Sequence, residues 1–300
     1  MEYVIETNKL CKNYMKNKVL KDLDVHIPKG SIYGLVGKNG AGKTTIMKMI
    51  SGMASPSSGS FSYVGFNGGT DEAFSRIGVL IEAPALQPNL TAYDNMKMKC
   101  LAYGIGDKQY INDKLELVGL GKVGKKKAGK FSLGMKQRLG IAMALVGNPD
   151  CIILDEPMNG LDPEGIIAIR NLILKLNKEK GITFIISSHI LDELSRVASV
   201  YGFIRNGNLV KEIDQQQLHE QGNVSTSIST DNNSLLITIL DKKNLKYSIE
   251  DNDTVYVYAE LSAEEIMPEL NGNNIKLKSI STNTESLESI YLNIMKGENA

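Results

Sequence analysis

Three short segments carry residues whose types and spacing suit phosphate chemistry. The first is Gly37-Lys38-Asn39-Gly40-Ala41-Gly42-Lys43-Thr44-Thr45, directly after the apolar run Ile32 to Val36 and before a helical stretch to Ile50. Gly37, Gly40 and Gly42, with Asn39 and Ala41 between them, let backbone N–H groups curl around a phosphate. A helix starting near Thr44 and Thr45 adds partial positive charge there, and Lys43 supplies a full one. Thr44 offers its hydroxyl to Mg²⁺. The strand before and the helix after are the context that a phosphate-binding loop requires.

The second segment is Cys151-Ile152-Ile153-Leu154-Asp155-Glu156-Pro157, which sets two carboxylates at the end of what reads as a fully buried parallel strand. A strand end beside a phosphate site suits a metal-holding aspartate, which assigns Asp155 to Mg²⁺. Glu156 points the other way, toward where water must attack a γ-phosphorus, as general base or water-orienting group. The third segment, Phe131-Ser132-Leu133-Gly134-Met135-Lys136-Gln137-Arg138, precedes a helical run from Leu139 to Val146.

These groups need a scaffold of parallel strands. Ser31 to Val36, Cys151 to Leu154 and Thr183 to Ser187 read as short strands. They alternate with helical patterns such as Asp162 to Lys178, apolar at Ile166, Ile169, Ile173 and Leu176. Such alternation marks an α/β layer fold, and Asp162-Pro163 gives that helix an N-cap and a prolyl first turn. The formal net charge is zero, yet residues 1–213 carry 28 basic and 20 acidic side chains whereas 214–300 carry 6 and 14. The break falls beside Gln215 to Asn233, rich in Gln, Ser, Thr and Asn, so 214–233 reads as a linker. Beyond it come the alternation Val255-Tyr256-Val257-Tyr258, a Ser262/Glu265 capping box, a strand near Ile275 and a last helix with Leu287, Ile290, Tyr291 and Ile294 on one face. They predict a small α+β domain at 234–300.

Composition sets the outer bounds. The 3 cysteines, Cys11, Cys100 and Cys151, are widely spaced, which argues against a disulfide framework or a zinc ribbon and suits a reducing cytoplasm. No run reaches the roughly 18 apolar residues of a membrane span, so any membrane role is expected to be peripheral.

The third segment resembles the LSGGQ signature of ATP-binding cassette (ABC) proteins, and other cassette marks stand in order around it. Tyr14 matches the aromatic that stacks on adenine, Asn159-Gly160-Leu161-Asp162 the D-loop, and His189 the switch histidine that contacts the γ-phosphate. His26 and His219 match nothing. The resemblance covers roughly residues 1–213. It implies a P-loop NTPase of the ABC type: a parallel-sheet core, an antiparallel β subdomain and a helical signature subdomain. ATP and Mg²⁺ are the implied cofactors.

The resemblance also implies a head-to-tail dimer, in which Ser132 and Gly134 of one copy bind the γ-phosphate held by the other's P-loop, with Asp162 beside the shared nucleotide. A separately encoded membrane permease would be the further partner, with the chain peripheral on the inner face of the cell membrane. Two departures stand out. Leu133 and Met135 add bulk around the phosphate-facing Ser132 and Gly134. Glu82, in Ile77-Gly78-Val79-Leu80-Ile81-Glu82-Ala83-Pro84, stands where transporters usually have the Q-loop glutamine, placing a carboxylate near Mg²⁺ and the γ-phosphate. Together these features resemble the ATPases of the bacitracin-export and lantibiotic-immunity type. The helix capped by Thr91 and Asp94 stands where cassettes receive the coupling helix of the membrane partner.

An ABC ATPase acting on nucleic acid or ribosomes is the alternative from another class. Those proteins usually carry two cassettes in one chain or a long coiled coil, and this sequence has neither. Its acidic C-terminal part, with no arginine after Arg205, also speaks against binding a phosphate backbone there, so no nucleic-acid partner is expected.

Overall fold

The computed structural model describes residues 2–64, 66, 67, 70–215, 217, 225–251, 254–257, 259, 261–283, 291 and 294. The chain forms two compact units, Met1–Gln215 and Gln216–Ala300.

The first unit opens with β1 (Tyr3–Tyr14), β2 (Asn17–Leu23), β3 (His26–Pro28) and β4 (Ile32–Val36), then α1 (Lys43–Ile50), β5 (Ser58–Tyr63), β6 (Phe66–Asn67), α2 (Asp71–Ser75) and β7 (Ile77–Leu80). Next come α3 (Ala92–Ala102), α4 (Lys108–Leu117), α5 (Leu133–Ala144) and β8 (Cys151–Asp155). The unit closes with α6 (Pro163–Lys180), β9 (Thr183–Ser188), α7 (Leu191–Ser195), β10 (Val200–Arg205) and β11 (Asn208–Asp214).

Two sheets share this unit. The larger runs β11-β10-β4-β9-β8-β7; every pair is parallel except the edge hairpin β10–β11. Its central strands β4, β8 and β9 are buried at every residue, as their largely apolar sequences require when helices cover both faces. The smaller sheet, β2-β1-β5-β6 with β3 also on β1, is antiparallel. The helices α3, α4 and α5 pack on one another, burying Met96, Cys100, Ile111, Leu115, Leu139 and Ile141. All three cysteines are free and buried.

The second unit contains β12 (Ser225–Thr230), α8 (Asn233–Lys242), β13 (Tyr247–Asp251), β14 (Thr254–Val257), α9 (Ala263–Gly272) and β15 (Leu277–Asn283). The order β13-β14-β12-β15, antiparallel throughout, is a split βαβ arrangement. Its core gathers Ile228, Leu236, Leu240, Val255, Val257, Ile266 and Leu270. Ser262 and Glu265 form the expected capping box on α9.

The linker reading of 214–233 needs correction. Ser225–Thr230 inside it is a central strand, because Thr226, Ile228 and Thr230 alternate with Ser227 and Ser229 and turn their side chains into the core. Thr226 satisfies its hydroxyl on Ala259 O at 2.8 Å, so a polar residue can be buried there without loss. Of the expected last helix, Tyr291 and Ile294 are helical, while Leu287 and Ile290 lie outside the described residues, as do Tyr258 and His219.

Candidate functional site

The parallel sheet delivers its strand ends to one place. After β4 the chain turns through residues 37–42, where two glycines leave no room for a side chain: a Cβ on Gly37 would lie 2.5 Å from Ile204 O, and one on Gly42, at φ 113°, 2.4 Å from Leu20 Cδ2. The helix α1 then begins at Lys43 with no side-chain cap on its first turn, which leaves those backbone N–H groups for an anion. Lys43 is buried at 6% exposure, and its Nζ donates to Gly37 O at 2.6 Å and Lys38 O at 3.3 Å. Burial lowers its pKa, against the opposing pull of Glu156 and Asp155. A phosphate oxygen entering the loop would meet this ammonium among backbone dipoles.

One residue on, Thr44 Oγ1 donates to Asp155 Oδ2 at 2.8 Å, while Ser187 Oγ donates to the other oxygen, Oδ1. The residues fit Mg²⁺: both are hard oxygens, and their separation is close to the edge of an octahedron with metal–oxygen distances of about 2.0–2.1 Å. No cluster of three His, Cys, Asp or Glu that could hold a metal unaided occurs among the described residues.

Glu156 takes a left-handed backbone conformation, φ 50°, that costs a non-glycine residue about 1–2 kcal/mol. Its N–H is held by Ser187 Oγ at 3.0 Å and Ser187 O at 3.2 Å. Strain of this kind, over-determined by its surroundings, is characteristic of functional sites. The conformation turns the carboxylate to His189, whose Nδ1 lies 2.6 Å and whose backbone N lies 3.3 Å from Glu156 Oε2. An ionised carboxylate can only accept, so Nδ1 carries the proton.

Glu82 is left-handed as well, φ 64°, and its Oε1 accepts from Lys48 Nζ at 2.5 Å. The structure therefore seats Glu82 on a lysine of α1, with 67% of its side chain exposed. Tyr14, at the end of the β1–β2 hairpin, is 47% exposed, and Lys12 Nζ lies 4.9 Å from its ring centroid.

Ser132 caps α5, its Oγ accepting from Met135 N at 3.3 Å. Gly134 is open enough that a Cβ there would only reach Leu161 Cδ2 at 3.8 Å and Gly165 Cα at 3.9 Å. Leu133 Cδ2 lies 3.3 Å from where a Cβ on Gly160 would stand, so the added bulk packs on the loop Asn159 to Asp162. Asp162 itself caps α6 by accepting from Gly165 N at 3.0 Å.

Sequence reasoning missed Ser187 and Lys48. Two serines ending an apolar strand were the available signal for Ser187; nothing local marked Lys48.

The site is that of a nucleotide-hydrolysing P-loop protein, and comparison with known proteins sharpens this. The family profile described as ABC transporter matches residues 20–159. The bacitracin transport ATP-binding protein BcrA of Enterococcus faecalis is 39% identical over 99% of this chain and 98% of its own length. The lantibiotic transport ATP-binding protein SrtF of Streptococcus pyogenes is 44% identical over 70% of this chain and 90% of its own. A solved ATP-binding subunit of an ABC transporter superposes with a TM-score of 0.64 at 29% identity, over 73% of this chain and 92% of that one. The chain belongs to the ATP-binding subunits of ABC transporters, whose fold it shares over 73% of its length. It binds ATP and hydrolyses it in the service of transport.

Proposed function

We propose that this chain powers a bacterial exporter of antimicrobial peptides, acting as a head-to-tail pair of cassettes beneath a separately encoded permease on the inner face of the membrane. The substrate class rests on the likeness to BcrA along nearly the whole chain and to SrtF over a shorter span. The single observation that carries the catalytic reading is the hydrogen bond of Glu156 to His189 one residue beyond the Thr44–Asp155 pair.

In this reading the P-loop N–H groups and Lys43 bind the β- and γ-phosphates, and Tyr14 stacks on the adenine. Thr44 and Asp155 would hold Mg²⁺, with Glu82 as a further carboxylate available to it; the ion would neutralise phosphate charge. Glu156 accepts the proton of the attacking water and His189 fixes its carboxylate. Ser132 and Gly134 of the second copy close on the γ-phosphate, with Asp162 nearby. A dimeric bacterial ABC cassette of the same fold, with TM-score 0.64, supports the pairing.

The test is deletion of the gene in its host, followed by inhibitory-concentration assays with bacitracin-like and lantibiotic peptides. Sensitivity should rise at least fourfold to one of the two classes and return to normal with the wild-type gene but not with Glu156→Gln. Unchanged sensitivity to both would contradict the peptide-export reading.

A further inference from the structure

The ion pair that seats Glu82 has a specific geometry. Lys48 is four residues beyond Thr44 on α1, hence on the same helical face one turn further along. Its Nζ contacts Glu82 Oε1 at 2.5 Å, and Lys48 keeps 32% of its side chain exposed against 67% for Glu82. Glu82 reaches it from a left-handed backbone position just beyond the end of β7, the strand paired with β8 that carries Asp155. One cation, a helical turn beyond Thr44, thus answers the extra carboxylate.

We propose that Lys48 is the positioning residue for Glu82: it holds this carboxylate off the Thr44–Asp155 pair and thereby sets how readily Glu82 reaches the water shell of the metal. This rests on the reading of Glu82 as a metal-side group. A glutamine would be neutral and need no such restraint. A glutamate left free beside a divalent ion would be drawn to it, since Mg²⁺ and Mn²⁺ prefer charged oxygen ligands. Lys48 competes for that oxygen, and its removal should tighten metal binding, by up to about fivefold for a partly exposed pair.

The measurement is the Mn²⁺ affinity of the full-length chain saturated with a non-hydrolysable ATP analogue, read as free Mn²⁺ by electron paramagnetic resonance. Thermal melts check that each variant is folded. Lys48→Met should tighten Mn²⁺ binding, Lys48→Arg should restore the wild-type value, and Lys48→Met/Glu82→Gln should match Glu82→Gln alone. If Glu82→Gln shifts the affinity but Lys48→Met does not, Glu82 keeps its place by the metal and the role of Lys48 is overturned. An equal effect of Lys48→Met with or without Glu82 also overturns it. If Glu82→Gln changes the affinity in neither the wild-type nor the Lys48→Met background, the metal-side reading of Glu82 fails, and this inference with it.

Discussion

Glu156 Oε2 accepts from His189 twice, from Nδ1 at 2.6 Å and from the backbone N–H at 3.3 Å. The two residues are 33 positions apart and come from the ends of adjacent strands, β8 and β9. The histidine thus orients the carboxylate through a side-chain donor while its backbone makes a longer second contact. His189→Ala should lower kcat by about a hundredfold, as expected when a base loses its alignment, with ATP affinity unchanged within about twofold. Retention of the wild-type kcat would separate His189 from the chemistry.

Lys43→Ala acts at an earlier step. It removes a charge-assisted donor whose hydrogen bonds are worth about 1.5–3 kcal/mol, roughly a 10- to 150-fold loss of ATP affinity. Titration with a fluorescent ATP analogue measures this directly. An affinity equal to that of the wild type would refute the placement of Lys43 on the phosphates.

Glu82→Ala should weaken peptide resistance in the host more than it lowers ATP hydrolysis by the purified chain, because the residue is expected to relay the state of the site to the permease. Equal losses in both assays would make Glu82 a purely catalytic group.

Glu212 predicts a stability effect away from the site. Its Oε1 accepts from the buried Tyr33 hydroxyl at 2.5 Å and from His26 N at 3.0 Å, and its Oε2 lies 3.0 Å from His26 Nδ1. Glu212→Ala strands the tyrosine hydroxyl and should cost about 1–3 kcal/mol in urea unfolding. Adding Tyr33→Phe should recover part of that loss. No recovery would mean that the damage arises elsewhere.

Alkaline pH supplies another check. Burial pushes the pKa of Tyr201 up to about 12 and raises that of Tyr33 well above the usual tyrosine value. The folded chain keeps these protons where an unfolded chain, with tyrosines near 10, releases them. Stability is then fully present below about pH 10 and falls as pH rises from there toward the folded values. The melting temperature should decline between pH 9.5 and 11 (roughly the window set by these values), and less steeply in Tyr201→Phe. A flat profile would contradict this.

What the sequence displayed and what it concealed follow from range. The phosphate loop was legible because its glycines, Lys43 and Thr44 are contiguous and flanked by a buried strand and a helix. Asp155 and Glu156 were legible as a strand end. The left-handed backbone at Glu82 and Glu156 left no local trace, because neither glutamate is a residue that favours it. The seat of Glu82 on Lys48, the clasp of Ser187 on Asp155 and the Glu212–Tyr33 bond join distant segments that only the fold brings together. The strand Ser225–Thr230 escaped notice because its inward residues include two threonines, and a count of polar residues mistakes them for a linker.

The central claim is that ATP is held between the P-loop of one copy and the Ser132 segment of another. Glu156→Gln should trap that state, since the amide cannot accept the water's proton. Adding Ser132→Asp keeps a good cap on α5 but sets a negative charge where the γ-phosphate must come. Size-exclusion chromatography with Mg²⁺ and ATP is the direct measurement. Glu156→Gln should elute as a dimer, and Glu156→Gln/Ser132→Asp as a monomer that still binds ATP. A double variant that dimerises as well as Glu156→Gln alone would contradict the account.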